Sequence, residues 1–408
     1  MLVRAARHAG ALQLPEGYPL LKHPLSGLRV IDLTRVLAGP FCTMLLGDRG
    51  AEIIKIEEPE LGDDSRGWAP FVDGWASYFL GVNRNKKSVA LDLKTADGAE
   101  ALRRLIESAD VLVENFRPGS LARLGFGYED ARRLNPRLIY CSISGYGRTG
   151  PRSGLSGYDP VIQAECGMMD MTGSADGPPM RIGVAMTDFL AGLYATTGIL
   201  LALVDREQTN EGQHVDIALF DALLSTLPMA TGVLQATARV PSRCGNDHPS
   251  IAPYEMLRAR DADIMIAVAN PSLWQRLCAA VDATHLTADP RFKTNTDRLQ
   301  HRDAMKHELE SAFQRFSVDE LIQRLQAAAV PCGLVRTVAE ALDDPQVDAR
   351  QMMIEFPDVA GGFKVPGSAL KFSRIPPAPS HTPPRLGEHT LEVLEGLGLG
   401  GVWQKVEG

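Results

Sequence analysis

Residues 28–57 read LRVIDLTRVLAGPFCTMLLGDRGAEIIKIE, and this segment contains the pattern from which the fold class can be inferred. A short apolar run, Leu28 to Leu33, is followed by a break at Gly39-Pro40 and by a helical pattern from Phe41 to Asp48. A second apolar run extends from Ala51 to Glu57. Apolar runs of roughly four to eight residues are typical of buried strands, so the segment predicts a β-α-β unit.

The same alternation continues along the chain. An amphipathic helix with Asp97 as its N-cap is predicted to lead into a strand at 111–114. A second helix, at 128–135, precedes a strand at 138–143, and a further strand is predicted at 213–219. Helices and strands that alternate in this way indicate an α/β fold with a mainly parallel sheet covered on both faces.

The chain is longer than one hydrophobic core usually supports, and its composition changes after about residue 239. A stretch rich in Pro, Gly, Asn and Ser is followed there by a hairpin pattern and three helical patterns. We therefore predict a leader or arm over residues 1–23, a large domain over 24–244, a small α+β domain over 245–355, and a C-terminal segment over 356–408 that returns to the large domain.

The composition excludes several classes of protein. Hydrophobic residues make up 45% and charged residues 23% of the 408 positions, as in a soluble globular enzyme. The net charge of -8 argues against a nucleic-acid partner, because phosphate binding needs a concentrated basic surface. The six cysteines form no C-x-x-C pair, so no metal site is predicted. The best candidate for a membrane span, Leu190 to Val204, is too short and predicts a buried helix, so no membrane partner is expected.

The first residues leave the location of the protein open. Arg4 and Arg7 precede the first acidic residue, Glu16, as in a mitochondrial transit peptide, but residues 1–13 contain no Ser. A mitochondrial location with a cleaved leader and a cytoplasmic location with an uncleaved arm both remain alternatives.

Three motifs have both a structural and a functional interpretation. Gly145 to Gly150 matches G-x-G-x-x-G after a predicted strand, but no helix follows directly, which argues against a nicotinamide or flavin site. The basic run Asn83 to Ser88 predicts a solvated charged loop or, with Arg117 and Arg123, a site for a phosphorylated carrier. His248 is an isolated histidine in a loop, where structural roles are commoner than catalytic ones.

Asp188 lies between a Gly-rich turn and an apolar helical pattern that extends to about Leu203. Thr187 or Asp188 is the predicted N-cap, and the partial positive charge of a helix N-terminus is expected to keep the carboxylate ionised. An ionised, positioned carboxylate can act as a nucleophile, although an Asp at a helix start is far more often only a cap.

Several ordered segments carry a resemblance to a known family. They are Pro24 to Leu33, Leu33 to Phe41, Gly47 to Glu52, Asn83 to Ser88, Val113 to Gly119, Gly145 to Gly147, Gly183 to Asp188, Gly245 to Tyr254 and Leu386 to Thr390. In these segments the sequence resembles the class III CoA-transferases, the family of formyl-CoA and carnitine-CoA transferases that also contains α-methylacyl-CoA racemase. Within the family it is most similar to the succinyl-CoA:glutarate CoA-transferase branch.

The resemblance implies an intertwined, ring-like homodimer in which each subunit has a Rossmann-like large domain and a smaller α+β domain. It also implies an enzyme that moves CoA from an acyl-CoA donor, such as succinyl-CoA, to a carboxylic acid such as glutarate or itaconate. Coenzyme A is then a substrate, and no tightly bound cofactor is expected. Asp188 takes the position of the family's nucleophile, which forms an aspartyl anhydride and an aspartyl-CoA thioester.

Further residues follow by position from the resemblance. The implied coenzyme contacts are Val36, Ala38, Leu91, Asp92, Leu93, Lys94, Asn115, Phe116, Arg123, Tyr158 and Asp159. Gly245 and Asn246, with His248 nearby, correspond to a mobile glycine loop, and Leu37 stands where members acting on formyl-CoA have glutamine. By charge type alone, Arg35, Arg84 and Arg181 are candidates to bind the distal carboxylate of a dicarboxylate.

Two other functions remain open from the sequence. The racemase branch moves a proton with a histidine-aspartate pair, but Tyr158 occupies the histidine position, and a neutral phenol is a poor base at neutral pH. A non-catalytic acyl-CoA-binding protein would need only the coenzyme groove and would not depend on Asp188.

Overall fold

The computed structural model describes residues 23–377 and 380–400, and these residues form two compact units. The large unit comprises residues 23–166, 182–232 and the described part of 345–400; the small unit comprises 167–181 and 233–344. Residues 1–22 of the predicted arm, and with them the transit-peptide hypothesis, lie outside the described residues.

The strands and helices follow one another along both units. The strands are β1 Arg29–Asp32, β2 Glu52–Glu57, β3 Phe71–Val72, β4 Trp75–Ala76, β5 Lys86–Ala90, β6 Val111–Glu114, β7 Ile139–Ser144, β8 His214–Ala218, β9 Tyr254–Arg258, β10 Asp263–Ala267, β11 Cys332–Leu334, β12 Met353–Phe356 and β13 Phe363–Pro366. The α-helices are α1 Ala38–Gly47, α2 Ser77–Val82, α3 Ala96–Glu107, α4 Ser120–Arg123, α5 Tyr128–Leu134, α6 Asp159–Glu165, α7 Met168–Met171, α8 Met186–Thr209, α9 Leu219–Leu224, α10 Pro228–Thr237, α11 Pro271–Ala280, α12 Asn295–Gln300, α13 Arg302–Phe313, α14 Val318–Ala327, α15 Val338–Leu342, α16 Pro345–Ala349 and α17 Thr390–Gly396.

A six-stranded sheet with the order β5-β2-β1-β6-β7-β8 forms the centre of the large unit. All five pairings are parallel, with Val30 of β1 opposite Ile53 of β2 on one side and Val111 of β6 on the other. The predicted mainly parallel α/β sheet is therefore confirmed. The chain moves outward in one direction from β1 and in the other from β6, and ligands of open α/β sheets bind at the carboxyl ends of strands where the direction reverses.

Apolar side chains fix the helices on the sheet. On one face, Leu102 and Leu105 of α3 and Val393 of α17 pack against Ile31 and Leu112 in a buried cluster. In α3, Thr95 is the N-cap, since its side chain accepts from the N–H of Gly98; the prediction of Asp97 was wrong by two residues.

The small unit contains the antiparallel sheet β11-β10-β9, whose core is shared with α11, α13 and α14. Its boundaries differ from the predicted 245–355. Residues 167–181 belong to it because Arg243 pairs with Asp170 and donates to the carbonyl of Gly177. Residues 345–355 belong to the large unit, where β12 and β13 pack with Trp75 and Phe79.

Helix α8 is not buried throughout, contrary to the sequence-based prediction. With 24 residues, the helix is long and apolar enough to cross a membrane by length and composition. Only 33% of its most apolar 18-residue stretch is buried in the described chain. Exposed large apolar side chains on it are Leu193, Tyr194, Leu200, Leu201 and Val204. One face of the helix is therefore left uncovered within the described single chain.

Candidate active site

A cavity of about 430 Å³ lies in the large unit at the carboxyl ends of the parallel strands. The segments that follow β1, β2, β6, β7 and β8 supply its walls, together with the first turn of α8. The lining residues are Arg35, Val36, Leu37, Ala38, Asp64, Asn115, Phe116, Arg117, Pro118, Ser120, Ile143, Ser144, Gly145, Leu155, Ser156, Gly157, Tyr158, Asp188 and Leu219. The cavity therefore lies where the reversal of strand order predicts a ligand site.

The loop after β1 is held by the loop after β6. The N–H of Arg35 donates to Oδ1 of Asn115 over 3.0 Å, and Nδ2 of Asn115 donates to the carbonyl of Arg35 over 2.8 Å. The guanidinium of Arg35 lies 5.3 Å from the centre of the Phe116 ring and 3.5 Å from Asp64. Val36 has a φ of 72°, a left-handed conformation that is strained for a β-branched residue and is commonly found at functional sites.

Two glycines form another part of the wall. A Cβ on Gly145 would lie 2.5 Å from the backbone nitrogen of Gly157, and a Cβ on Gly157 would lie 2.6 Å from the Cα of Gly145. The backbones meet at this point only because neither residue has a side chain. The G-x-G-x-x-G match at Gly145 thus reflects a close contact of two loop segments, rather than a helix-borne phosphate site.

Asp188 is the third residue of α8, whose N-cap is Ala185; the prediction that Thr187 or Asp188 is the cap was wrong. Gly192, one turn later on the same face, packs so closely on α1 that a Cβ would lie 2.7 Å from the carbonyl oxygen of Ala38. This contact brings Asp188 to the cavity wall beside the loop after β1. Within the described residues, its carboxylate has no hydrogen bond or ion pair.

The carboxylate of Asp188 is also harder to ionise than the sequence suggested. Burial, followed by the negative charge of Asp159, raises the pKa of Asp188 to about 7. Ionisation of Asp188 at neutral pH is therefore only partial, whereas the sequence predicted a carboxylate that the helix N-terminus keeps ionised. A carboxylate held near its point of ionisation is typical of a functional site.

Buried charges support the loop after β1 from below. Lys55 and Asp63 form an ion pair of 2.9 Å with no exposed side-chain surface. Lys55 also donates to the carbonyl of Thr34 over 2.7 Å, and Oδ1 of Asp63 accepts from the N–H of Val36 over 3.1 Å. This pair therefore fixes the strained loop that carries Val36 to the second strand of the sheet.

The basic run Asn83 to Ser88 proves to be structural. Arg84 is buried and makes two hydrogen bonds to Asp48, and Lys86 is buried against Asp32 at 3.0 Å. Both earlier interpretations of the run, a solvated loop and a phosphate site, are thus wrong for Arg84 and Lys86. Arg84 is also excluded as the cation for a distal carboxylate, since its guanidinium is already paired.

The predicted site residues separate into three groups in the structure. Those that line the cavity are Arg35, Val36, Leu37, Ala38, Asn115, Phe116, Tyr158 and Asp188. Those of the large unit that do not line it are Leu91, Asp92, Leu93, Lys94, Arg123 and Asp159. Gly245, Asn246 and His248 belong to the small unit. For the second and third groups, a role in coenzyme or substrate binding stays a prediction.

The loop around Gly245 is anchored within the small unit. Lys306 binds both carboxylate oxygens of Asp247 at 2.8 and 3.0 Å, and Arg302 donates to the carbonyl of His248 over 2.6 Å. The His248 ring accepts from the N–H of Ser250. These contacts anchor His248 within its loop.

Sequence reasoning missed several lining residues, above all Asp64, Ser144 and Ser156. Their signal was weak, because isolated Asp and Ser residues in loops are common. The glycines at both ends of the 145–157 loop were the sequence signal that could have located this part of the cavity wall. In residues 23–377 and 380–400, no three His, Cys, Asp or Glu side chains are grouped so that they could hold a metal ion.

A cavity of this kind, at the carboxyl edge of a parallel α/β sheet and with a carboxylate in its wall, is typical of enzymes that act on small molecules. The chain belongs to the CoA-transferase family III, whose sequence model matches residues 25–390. It is therefore a CoA-transferase of class III, an enzyme whose substrates are CoA thioesters and carboxylic acids, and the family resemblance seen in the sequence is confirmed.

Similar proteins agree with this assignment. A succinate--glutarate CoA-transferase of Agrobacterium fabrum is 39% identical over 388 residues, which cover 93% of this chain and 97% of the relative. An acetyl-CoA:oxalate CoA-transferase of Acetobacter aceti is 43% identical over 86% of this chain and 90% of its own. The crystal structure of a CAIB/BAIF family protein from Brucella suis matches with a TM-score of 0.83 and 40% identity, covering 92% of this chain and 100% of that one.

Proposed function

We propose that this enzyme moves CoA from succinyl-CoA to a dicarboxylate, such as glutarate or itaconate, with Asp188 as the covalent acyl carrier. The observation that supports this proposal most strongly is the position of Asp188. Its carboxylate lies in the cavity wall and makes no hydrogen bond or ion pair with another described side chain. The other acid of the cavity, Asp64, is paired with Arg35.

The proposed reaction consists of two symmetrical halves. A carboxylate oxygen of Asp188 attacks the thioester carbonyl of the donor and expels the CoA thiolate, leaving a mixed anhydride. The thiolate attacks the aspartyl carbonyl of this anhydride, releases the donor acid and forms an aspartyl-CoA thioester. A carboxylate oxygen of the acceptor then attacks that thioester and frees the thiolate. Attack of the thiolate on the acceptor carbonyl gives the new acyl-CoA and restores Asp188.

Holding the reactants in one cavity lowers the activation barrier of these steps. The energy of the thioester is kept in covalent form throughout, and well-oriented groups gain effective molarities of about 10⁵ to 10⁸ M. Each addition places negative charge on a carbonyl oxygen, so backbone N–H groups facing the cavity are the expected donors. Members acting on formyl-CoA have glutamine at the position of Leu37, and an apolar Leu37 cannot contribute a donor there.

The pH dependence of the reaction follows from Asp188. Only the ionised carboxylate can attack, and its pKa is raised to about 7 by burial and by Asp159. We expect kcat/KM, which reports the free enzyme, to rise with pH through about 7 and to level off about one unit higher. A pH profile of kcat/KM checks this. A profile already level from about pH 5 upward would contradict it, since it would place the essential carboxylate at an ordinary pKa.

The choice of succinate and a second dicarboxylate rests on relatives and on charge. Relatives are named as transferases acting between succinate or succinyl-CoA and glutarate, mesaconate or D-citramalate. Of the candidate cations, Arg35 lines the same cavity as Asp188. Its partner Asp64 is half exposed at 3.5 Å, so an incoming carboxylate can replace it as a charge-assisted partner.

Arg35→Met is expected to raise KM for a dicarboxylate acceptor about 10- to 100-fold, the range for losing one charge-assisted hydrogen bond. KM for a monocarboxylate acceptor should change little. Steady-state kinetics with matched mono- and dicarboxylates of one chain length would measure both. An equal rise in KM for both acceptors would contradict the assignment of Arg35. The control for removal of an arginine is Arg104→Met, on the exposed side of α3.

The substrate pair itself is tested by incubating the enzyme with succinyl-CoA and a panel of mono- and dicarboxylates, and by identifying the new acyl-CoAs by mass spectrometry. The proposal expects product from glutarate or itaconate at the highest kcat/KM. Turnover with monocarboxylates only would overturn it. Formation of α-epimerised acyl-CoA without acyl exchange would favour the racemase alternative instead.

We also propose that the enzyme is an intertwined homodimer whose subunits have a Rossmann-like large domain. The strand order, with β5, β2 and β1 on one side and β6, β7 and β8 on the other, supports the second part. The apolar face of α8 that is exposed in the described chain supports the first, because contiguous apolar surface of this kind is typical of protein interfaces. Light scattering of the purified enzyme checks it, and a monomer at catalytic concentrations would contradict it.

A further inference from the structure

We infer that Gln163 is a positioning residue for Asp188: its buried amide, acting through Asp159, holds the segment that delivers the nucleophile into the cavity. This inference rests on the proposed role of Asp188. Gln163 does not line the cavity and touches no reacting atom, so it acts on the backbone and not on the substrate.

The contacts form one continuous chain of hydrogen bonds. Oε1 of Gln163 accepts from the N–H of Ile182 over 2.9 Å, and Nε2 donates to both oxygens of Asp159 over 3.0 and 2.9 Å. Oδ1 of Asp159 accepts from the N–H of Thr187 over 3.0 Å. Gln163, Asp159 and Thr187 have 0%, 5% and 0% of their surface exposed, so water cannot replace these bonds.

The place of these bonds in the chain explains their importance. The chain leaves the large unit after Cys166 and returns to it at Ile182, only six residues before Asp188. Gly183 and Val184 are exposed, and the N-cap of α8, Ala185, offers no side-chain acceptor. Gln163 fixes the point of return, and Asp159 binds an N–H in the first turn, in place of the missing cap.

The side-chain amide of Gln163 serves both ends of this arrangement, which a carboxylate cannot do. It must accept at Ile182, where the partner is an N–H group, and donate at Asp159, where the partner is a carboxylate. Gln163→Glu would place a second carboxylate against that of Asp159, with no hydrogen to donate between them. Asparagine at position 159 would turn an N–H towards the N–H of Gln163. If both are exchanged, each donor again meets an acceptor.

The experiment compares Gln163→Glu, Asp159→Asn and the double variant Gln163→Glu/Asp159→Asn in steady-state kinetics. Each single variant is expected to lower kcat about 10- to 100-fold, the scale of a misplacement of about 1 Å. For Gln163→Glu, which changes none of the predicted coenzyme contacts, KM for acyl-CoA should stay within about twofold. The double variant should recover most of kcat. Asp159→Asn alone should also move the acidic limb of the kcat/KM profile to lower pH, because it removes a negative charge near Asp188.

Gln213→Glu is the matched control, since Gln213 also donates to an aspartate, Asp205, but on the exposed end of α8. It should leave kcat unchanged. Single variants with wild-type kcat would overturn the inference. A double variant that recovers none of the kcat lost in the single variants would also overturn it, whether or not the single variants fold well. Asp188→Ala separates failure of the proposed function from failure of this inference. If Asp188→Ala stays active, the assignment of the nucleophile is wrong. If Asp188→Ala is inactive while the Gln163 variants are fully active, only the positioning role is wrong.

Discussion

Asp188→Asn is expected to lower kcat for CoA transfer by at least about 10³-fold, because a neutral amide cannot form the anhydride that the proposed reaction requires. KM for acyl-CoA should change far less, since the rest of the cavity is intact. Steady-state assay of acyl-CoA formation measures both values. Incubation of the wild-type enzyme with succinyl-CoA and hydroxylamine should modify Asp188 and inactivate the protein, whereas the variant should be insensitive.

The stability of the same variant provides its control. The pKa of Asp188 is raised from 3.8 to about 7, so the folded protein binds this proton more tightly than the unfolded chain does. The stabilisation from that proton is complete below the unfolded pKa and is lost as the pH rises through about 7. At about pH 8 the variant should therefore be more stable than the wild type by roughly 2–4 kcal/mol, and the difference should vanish near about pH 4.

An inactive Asp188→Asn protein that is equally or more stable shows that the loss comes from chemistry and not from misfolding. Retention of more than about a tenth of kcat would contradict the role of Asp188 as nucleophile, because the other acid of the cavity, Asp64, is paired with Arg35.

Lys55→Met is expected to lower the free energy of unfolding by about 3–5 kcal/mol, since it leaves Asp63 buried without its partner. Burial alone would raise the pKa of Asp63, but Lys55 and the hydrogen bonds from Ser65 outweigh it and hold the pKa at about 2. The carboxylate is thus ionised in the folded protein and depends on Lys55. Denaturant unfolding at neutral pH measures the change.

The same substitution should also reduce kcat/KM, because Lys55 and Asp63 hold the loop that carries Val36 into the cavity. Lys87→Met is the matched control: Lys87 lies on the neighbouring strand and pairs with Glu52 and Glu392 at the surface. Surface pairs contribute at most about 1 kcal/mol. If both variants lost equally little stability, the buried pair would not support the loop as described.

The sheet could be predicted from the sequence because its strands are continuous apolar runs. Arg29–Asp32, Glu52–Glu57 and Val111–Glu114 differ from the predicted strands by at most a residue or two at either end. Their burial on both faces is what makes the sequence signal strong. The N-cap at Thr95 was missed because Asp97, two residues later, is equally suitable by type. The N-cap at Ala185 was missed because alanine has no side-chain acceptor and therefore gives no capping signal.

The charged groups could not be predicted, because their partners are distant in sequence. Arg84 looked like part of a solvated basic run, but its partner Asp48 lies 36 residues earlier. Lys86 is neutralised by Asp32, which lies 54 residues earlier. The ionisation of Asp188 likewise depends on burial and on Asp159, neither of which is visible in the local sequence. Local patterns show charge type, whereas burial and pairing are properties of the fold.

The origin of the oxygen atoms tests the covalent role of Asp188 most directly. In the proposed reaction, the acceptor carboxylate attacks the aspartyl thioester, and the later attack of the thiolate on the acceptor carbonyl leaves one acceptor oxygen on Asp188. With an acceptor whose carboxylate carries heavy oxygen, peptide mass spectrometry after turnover is predicted to find the heavy isotope in Asp188, and later turnovers should transfer it to the released donor acid. Active turnover with no heavy oxygen in Asp188 would contradict the proposed mechanism.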